Sequence, residues 1–211
     1  PYYRRLRQVV ADCDDAAALS QIETTLRLVD LRRQGQLPYQ GGPLVSVVMP
    51  AFNREKLILD AIHSLLAQTY GSFELLVCDD ASSDRTVETI KSFKDKRIRL
   101  IRQDKRQGAA AARNRCLEAA RGEIIAYLDS DNIWHPRYLE TTLEELQKWP
   151  GQLAAYAGFI DIQIRSSGKI HLRSANFHAF HLEDQIEKPF IDLNSFLHSR
   201  RLYEVLGGFD E

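Results

Sequence analysis

The sequence "EIIAYLDSDN", residues 123–132, joins an apolar run to two aspartates that stand one residue apart. The apolar part has the length and composition of a strand that is buried on both faces. Asp129 and Asp131 follow this strand directly, and they belong either to a simple turn or to a site for a divalent metal ion. Because Asp12 and Asp14 have the same spacing, the position of each pair in the fold must decide between the two explanations.

Short apolar runs alternate with helical stripes from residue 44 onwards, which predicts an α/β fold. The predicted strands lie at 44–49, 73–78, 98–101 and 123–128. The predicted helices begin near Asn53, after a cap at Asp84, at about residue 107 and near Pro136. Strands and helices in this alternation form a mostly parallel sheet, and ligands bind at the carboxyl ends of its strands. Asp129 and Asp131 lie at that edge, whereas Asp12 and Asp14 do not and are given no function.

The composition excludes several classes of protein. The 211 residues are 44% hydrophobic and 27% charged, with a formal net charge of −1, which argues against a nucleic-acid partner. The cysteines, Cys13, Cys78 and Cys116, show no paired spacing, and this indicates free thiols in a reducing compartment. No run approaches the ~18–20 apolar residues of a transmembrane helix, and no signal peptide is visible.

The chain divides into two parts by pattern. Residues 1–42 are predicted to form an N-terminal helical arm and linker, since apolar residues recur at helical spacing and Gly and Pro are dense over 35–43. Residues 43–211 are predicted to form the sheet domain. The chain begins with Pro1 and its only methionine is Met49, so we expect it to be a piece of a longer protein.

Polar residues follow the other strands at the same edge. Asn53, after the first strand, can be explained as a helix cap. Asp80, after the second, could accept hydrogen bonds from a ribose or base, or belong to a turn, and the sequence favours neither. Arg113, on the helix before residues 123–128, would be available to a carboxylate or phosphate, although on its own a surface arginine is the simpler explanation.

The predicted edge lacks both common Gly-rich phosphate sites, Gly-x-Gly-x-x-Gly and the P-loop. A diphosphate would therefore be held through a metal ion. Mg²⁺ and Mn²⁺ prefer oxygen ligands, and Mg²⁺ commonly uses one or two carboxylates together with substrate phosphates. Acidic or polar residues at several strand ends favour such a site over turns alone.

Four stretches in order resemble the family 2 glycosyltransferases, which have the GT-A fold: "VSVVMPAFNRE", "ELLVCDDASSDRT", "GAAAARNRCLEAARGEIIAYLDSDN" and "GGFDE". The resemblance implies transfer of a sugar, with inversion, from a nucleotide-sugar to an acceptor hydroxyl, with Mg²⁺ or Mn²⁺ assisting. The donor is usually a UDP-sugar, and the acceptor a saccharide or glycolipid. Residues 44–135 would bind the nucleotide-sugar, and residues 150–211 would begin the acceptor half with a hairpin that turns at 166–168.

By position, the resemblance implies a nucleotide-sugar site at four strand ends: Pro50, Ala51, Phe52, Asn53, Glu55, Asp80, Gly108, Arg113, Asp129, Ser130 and Asp131. Asp80 would recognise the base or ribose. Asp131 and Asp129 would be the metal ligands, with Asp129 nearer the nucleotide. Phe52 stands where tyrosine is common in the family. The family's catalytic base follows "GGFDE", so we expect it C-terminal to Glu211, and a fragment without it would be inactive.

Two other functions stay open on the sequence. A binding module would hold the nucleotide-sugar without transferring it. A nucleotidyltransferase would need a Gly-rich loop with Arg or Lys after the first strand, whereas "PAFNRE" (50–55) contains no glycine. The expected location is the cytoplasm, including peripheral association with the cytoplasmic face of a membrane. The sugar, the acceptor and the oligomeric state are not determined by the sequence.

Overall fold

The computed structural model describes residues 41–149, 151–164, 170–176 and 191–211. Within these residues the strands are β1 (Val45–Ala51), β2 (Phe73–Asp79), β3 (Ile98–Arg102), β4 (Ile124–Tyr127), β5 (Ala154–Tyr156), β6 (Phe159–Ile164), β7 (Ile170–Asn176) and β8 (Phe196–Ser199). The α-helices are α1 (Ile58–Leu66), α2 (Thr86–Ser92), α3 (Ala109–Ala119), α4 (Tyr138–Lys148) and α5 (Arg200–Leu206). A 3₁₀ turn at Leu193–Ser195 precedes β8.

The main sheet confirms the predicted α/β class. Its strand order is β3-β2-β1-β4-β8-β5, and the four predicted strands, β1 to β4, pair in parallel. Every residue of β1 and β2 is buried, because helices cover both faces of the central strands. The strands β6 and β7 form a separate antiparallel hairpin.

The helices divide between the two faces of the sheet. Apolar residues of α1, α2 and α4, such as Ile62, Ile90 and Leu139, join the core on one face. Cys116 and Leu117 of α3 join the core on the other. The chain therefore runs outward from β1 over one face and returns to β4 over the other, so the strand order reverses between β1 and β4. In parallel sheets the crevice at such a reversal is where ligands bind.

The antiparallel strand β8 brings the end of the chain to this crevice. It pairs with β4 so that Ala126 lies opposite Leu197 and Ile124 opposite Ser199. The 3₁₀ turn before β8 consequently lies beside the residues that leave the carboxyl end of β4. No helix among the described residues is long and apolar enough to cross a membrane.

Two local predictions at the first strand are wrong. The strand β1 continues through Pro50 to Ala51, two residues beyond the predicted end at residue 49. The helix α1 begins at Ile58 rather than near Asn53, because Asn53 adopts a left-handed conformation with φ 52° that interrupts a right-handed helix. Residues 1–40 of the predicted arm and linker (1–42), and the predicted hairpin turn at 166–168, lie outside the described residues.

A buried carboxylate joins three strands at the opposite, amino end of the sheet. Glu74 is 7% exposed, and its Oε1 accepts hydrogen bonds from Ser46 Oγ and Arg121 N, both at 2.7 Å. Its Oε2 lies 2.9 Å from Arg99 Nη1. Burial raises the pKa of this carboxyl, but the hydrogen bonds from Ser46, Arg121 and Arg99 and the charge of Arg99 outweigh burial, and the net pKa is lowered from 4.5.

The substitution Glu74→Gln should therefore destabilise the protein in a pH-dependent way. Since the pKa is lowered on folding, ionised Glu74 stabilises the fold above its unfolded pKa of about 4.5, and this contribution is lost as the pH falls through the folded pKa. We expect the free energy of unfolding at pH 7 to fall by about 1–3 kcal/mol, with a smaller difference at each step towards pH 3. Urea unfolding of the wild type and Glu74→Gln at several pH values between 7 and 3 measures this difference in the free energy of unfolding.

The exposed Glu118, which pairs with Arg115 on the surface of α3, provides the matched control. Glu118→Gln should change the free energy of unfolding by less than about 0.5 kcal/mol at every pH. A loss in Glu74→Gln that is the same at pH 7 and pH 3 would contradict the role given to the ionised carboxylate.

Candidate active site

Asp80 anchors the loop that leads into α3. Its side chain is buried, its Oδ1 accepts from Gln107 N at 2.7 Å and its Oδ2 accepts from Gly108 N at 2.9 Å. Gly108 has φ 96°, a backbone conformation that suits glycine. Both carboxylate oxygens thus bind backbone amides, and each keeps a lone pair for another donor. The predicted contact with a base or ribose stays a prediction.

Asn53 and Glu55 tie the loop after β1 to the loop after β2. Asn53 Oδ1 accepts from Ser83 N at 2.9 Å, and Glu55 Oε2 accepts from Arg85 N at 3.1 Å. Across the same junction Ala81 has φ 59°, a left-handed conformation that costs an alanine roughly 1–2 kcal/mol. Strained backbone of this kind is concentrated at functional sites, and here it lies at the carboxyl edge of the sheet, just after β2.

Phe52 contacts the loop after β3. The guanidinium carbon of Arg106 lies 4.1 Å from the centre of the Phe52 ring, within the range of a cation–π contact. No sequence pattern indicates Arg106 as a site residue, because a single arginine in a basic stretch carries no signal of its aromatic partner.

Both oxygens of the Asp129 carboxylate have side-chain partners. Its Oδ1 lies 2.7 Å from Arg113 Nη2, and its Oδ2 accepts from Asn194 Nδ2 at 3.2 Å. Its backbone N–H donates to Asn194 Oδ1 at 2.6 Å. The structure therefore places Arg113 beside Asp129, so the carboxylate that it contacts is one of the aspartate pair. Arg113 Nε is buried and has no hydrogen-bond partner within the described residues.

Asn194 is a site residue that sequence reasoning missed. Asp192 Oδ1 accepts from both Asn194 N, at 2.7 Å, and Asn194 Nδ2, at 2.9 Å. Trp134 Nε1 donates to the Asn194 carbonyl at 2.7 Å. These contacts fix the amide that holds Asp129. The sequence "DLNS" signals a polar turn, but nothing in it indicates a partner 65 residues away.

Asp131 lies in a different environment from Asp129. Its side chain is 42% exposed, and its Oδ2 lies 3.4 Å from Arg54 Nη2. By contrast, the predicted site residues Pro50, Ala51 and Ser130 are buried, so their side chains present little surface to a ligand. Of the two aspartates, Asp131 has the more exposed carboxylate, with 42% of its side chain exposed against 27% for Asp129.

The carboxylates of Asp129 and Asp131 are suited to a hard divalent cation whose remaining ligands are water and the phosphates of a substrate. No group of three or more His, Cys, Asp or Glu side chains suited to a metal occurs in the described part of the chain. One or two carboxylates are nevertheless the usual protein share of an Mg²⁺ site that is completed by phosphates and water. Asp129 is already paired with Arg113 and Asn194, so Asp131 is the carboxylate better placed to hold the metal.

The "GGFDE" motif docks beside Arg113 through Asn114. Asn114 Nδ2 donates to Phe209 O at 2.8 Å, and Phe209 N donates to Asn114 Oδ1 at 2.7 Å. A Cβ added at Gly208 would overlap the Asn114 side chain, which explains the glycine. Arg113 lies 5.6 Å from the centre of the Phe209 ring, so this motif helps to enclose it.

His198 has a core role rather than a catalytic one. Its Nδ1 lies 2.8 Å from the Ser199 carbonyl and its Nε2 lies 2.8 Å from the Tyr127 hydroxyl, so Tyr127 O–H donates to a neutral imidazole. Burial lowers the pKa of His198 against the opposing effect of the Ser199 carbonyl. Burial also raises the pKa of Tyr127 to about 12. Both groups therefore stay neutral near pH 7.

The chain matches the family described as Glycosyl transferase family 2 over residues 46–203. It is 48% identical over 105 residues to the UDP-Glc:alpha-D-GlcNAc-diphosphoundecaprenol beta-1,3-glucosyltransferase WfgD of Escherichia coli, covering 50% of this chain and 42% of that protein. It is 40% identical over 104 residues to the putative teichuronic acid biosynthesis glycosyltransferase TuaG of Bacillus subtilis, covering 48% and 41%. The matched part spans less than half the length of either relative.

The fold also resembles a solved structure. A mannosyltransferase from Pyrobaculum calidifontis, in complex with GDP-Man and Mn²⁺, gives a TM-score of 0.61 at 21% identity, covering 97% of this chain and 59% of that one. At this identity the likeness shows a common fold, and it confirms the predicted GT-A arrangement.

The bond between Asn194 and Asp129 can be tested by a double-mutant cycle on stability. We expect Asn194→Ala and Asp129→Ala to be coupled by about 0.5–1.5 kcal/mol, because each substitution removes the same side-chain hydrogen bond. Urea unfolding of the two single variants, the double variant and the wild type measures the coupling. A cycle of Asn194→Ala with Asp131→Ala is the control and should show no coupling, and equal values in both cycles would contradict the assignment.

Proposed function

The chain belongs to the family 2 glycosyltransferases, and we propose that it binds a nucleotide-sugar in the crevice between β1 and β4 and takes part in transfer of the sugar, with inversion, to an acceptor hydroxyl. The observation that carries the proposal is the pair Asp129 and Asp131 beside Arg113, at the edge where the strand order reverses. Ligands of parallel sheets bind at this place, and the two aspartates and the arginine are suited to a metal-bound diphosphate.

The side chains would divide the work of binding. Asp131 would hold Mg²⁺ or Mn²⁺, which when bound would offset the negative charge of the departing diphosphate. Arg113 is fixed by Asp129 at 2.7 Å, and its guanidinium would donate to a phosphate oxygen. Asp80, through its remaining lone pairs, would bind the ribose or base.

Inversion requires a single displacement at the anomeric carbon. The acceptor oxygen attacks from the face opposite the diphosphate while a carboxylate base removes its proton. The family pattern assigns this base to a position after "GGFDE", and we give the role to none of the described carboxylates. Asn114 would contribute indirectly, since it holds that motif against α3 through Phe209.

The names of the relatives suggest the substrate class. The relative from Escherichia coli is named for UDP-glucose and for an acceptor on diphosphoundecaprenol, so we propose a UDP-sugar donor and a glycolipid or saccharide acceptor in polysaccharide synthesis. A lipid-linked acceptor would place the protein at the cytoplasmic face of a membrane.

Calorimetric titration with UDP, with Mn²⁺ and then with chelator, tests the proposal directly. Binding that requires the metal supports it, whereas binding that is indifferent to the metal contradicts the role of Asp131. A panel of GDP, CDP and dTDP on the same sample identifies the base that the site accepts. Tight donor binding without transfer to any acceptor would favour a binding module.

Asp131→Ala should remove the metal-dependent part of UDP binding, because the metal would lose its protein carboxylate. We expect at least about a ten-fold weaker UDP affinity in Mn²⁺, measured by calorimetry. The matched control is Asp12→Ala in the second Asp-x-Asp pair, which should bind UDP like the wild type. Unchanged metal-dependent binding in Asp131→Ala would overturn the metal assignment.

Asp80→Ala should weaken UDP, UDP-glucose and UDP-N-acetylglucosamine by a similar factor. Its carboxylate would act on the nucleoside that the three ligands share, both directly and by positioning Gln107 and Gly108. Competition of each ligand against a labelled UDP measures the three affinities. A loss that is confined to one sugar would contradict a nucleoside role.

A further inference from the structure

Arg54 is held in place at the mouth of the crevice. Its Nη1 donates to the carbonyl oxygens of Phe52, at 3.2 Å, and Asn53, at 3.4 Å. Its backbone N–H donates to Thr86 Oγ1 at 2.7 Å. Its other terminal nitrogen, Nη2, lies 3.4 Å from Asp131 Oδ2. No sequence pattern indicates Arg54 as a site residue, since an arginine in a loop is most often a solvated surface residue.

The ion pair spans the reversal of strand order. Arg54 belongs to the loop after β1, and Asp131 belongs to the loop after β4, its neighbour in the sheet. The pair is open to solvent, with 39% of the Arg54 side chain and 42% of the Asp131 side chain exposed. It therefore lies where a diphosphate and its metal would enter.

The two aspartates have partners of different kinds. Asp129 is bonded on both oxygens, to Arg113 and Asn194, and Arg113 is itself only 17% exposed. Asp131 faces the more exposed Arg54. The exposed pair of Arg54 and Asp131 is easily broken, because exposed ion pairs contribute little to stability. The more enclosed pair of Arg113 and Asp129 is harder to break.

We propose that Arg54 is an exchangeable counter-cation and phosphate ligand of the donor site. It neutralises Asp131 when no metal is bound, is displaced from that carboxylate by the divalent cation, and then binds the diphosphate. The inference deepens the proposed function and rests on it. A guanidinium and a divalent cation repel each other at one carboxylate, and a displaced guanidinium beside a diphosphate would bind it through paired N–H donors.

This role gives Arg54 opposite effects on its two ligands. Removal of the guanidinium frees Asp131, so the metal alone should bind more tightly. The same removal takes a donor from the diphosphate, so UDP in saturating metal should bind more weakly. A residue that merely supports the loop would weaken both or change neither.

The experiment compares Arg54→Gln with the wild type in two titrations. Free Mn²⁺ is measured by electron paramagnetic resonance as Mn²⁺ is added to the protein without nucleotide. UDP binding is measured by calorimetry in saturating Mn²⁺. We expect Mn²⁺ to bind about two- to five-fold more tightly and UDP about ten-fold more weakly.

Two further variants separate charge from shape. Arg54→Lys keeps the positive charge, so its Mn²⁺ affinity should be that of the wild type, while its UDP affinity should lie between the other two because a lysine lacks the paired donors. Arg85→Gln removes an exposed arginine beside the same loops and should leave both affinities within about two-fold.

The outcomes distinguish the inference from the proposed function. If the wild type binds neither Mn²⁺ nor UDP in any combination, the proposed function itself falls. If UDP binding requires the metal but Arg54→Gln leaves the Mn²⁺ affinity unchanged or lowers it, only the role of Arg54 is overturned. Tighter Mn²⁺ binding with weaker UDP binding in Arg54→Gln, absent from Arg85→Gln, supports the inference.

Discussion

The two bonds of the Asp129 carboxylate determine the geometry of this edge of the sheet. A partly enclosed negative charge is stable only when donors surround it, and Asp129 draws its donors from separate elements. Arg113 reaches it from α3, and Asn194 reaches it from the turn before β8. The charge of Asp129, just after β4, thus joins this strand to α3 on one face of the sheet and to the turn before the antiparallel strand β8.

The two aspartates, one residue apart in the sequence, lie in different environments. Asp129 is fixed by contacts that arise within the fold, while Asp131 lies at the surface of the crevice against an exposed arginine. In the proposed site, Asp129 would orient Arg113 without reorganisation when a ligand arrives, and Asp131 would exchange its partner. A rigid carboxylate beside an exchangeable one would suit an ion that enters and leaves with its substrate.

Most of the residues selected from the sequence also hold the loops together. Asp80 binds two amides of the loop before α3, and Asn53 and Glu55 bind amides of the loop after β2. Backbone donors in these loops and at the starts of α2 and α3 have no strand or helix partner, and the polar side chains satisfy them. The same bonds fix the loops in advance of binding, which lowers the cost of ordering them around a ligand. The observed role of these residues in the fold and their proposed role in binding are therefore compatible.

The sequence by itself determined the α/β class, the four parallel strands and the position of Asp129 and Asp131 after a buried strand, because each depends on short-range periodicity. Its ordered motifs also indicated the family. Only the tertiary structure decided that Asn53 is a left-handed loop residue and no helix cap, and that Asn194 and Arg54 are the partners of the two aspartates. Those contacts depend on which strands are neighbours and on the register of β4 with β8. Local sequence patterns do not encode such long-range pairing, since a hydrogen bond between loops leaves no periodic trace in the chain.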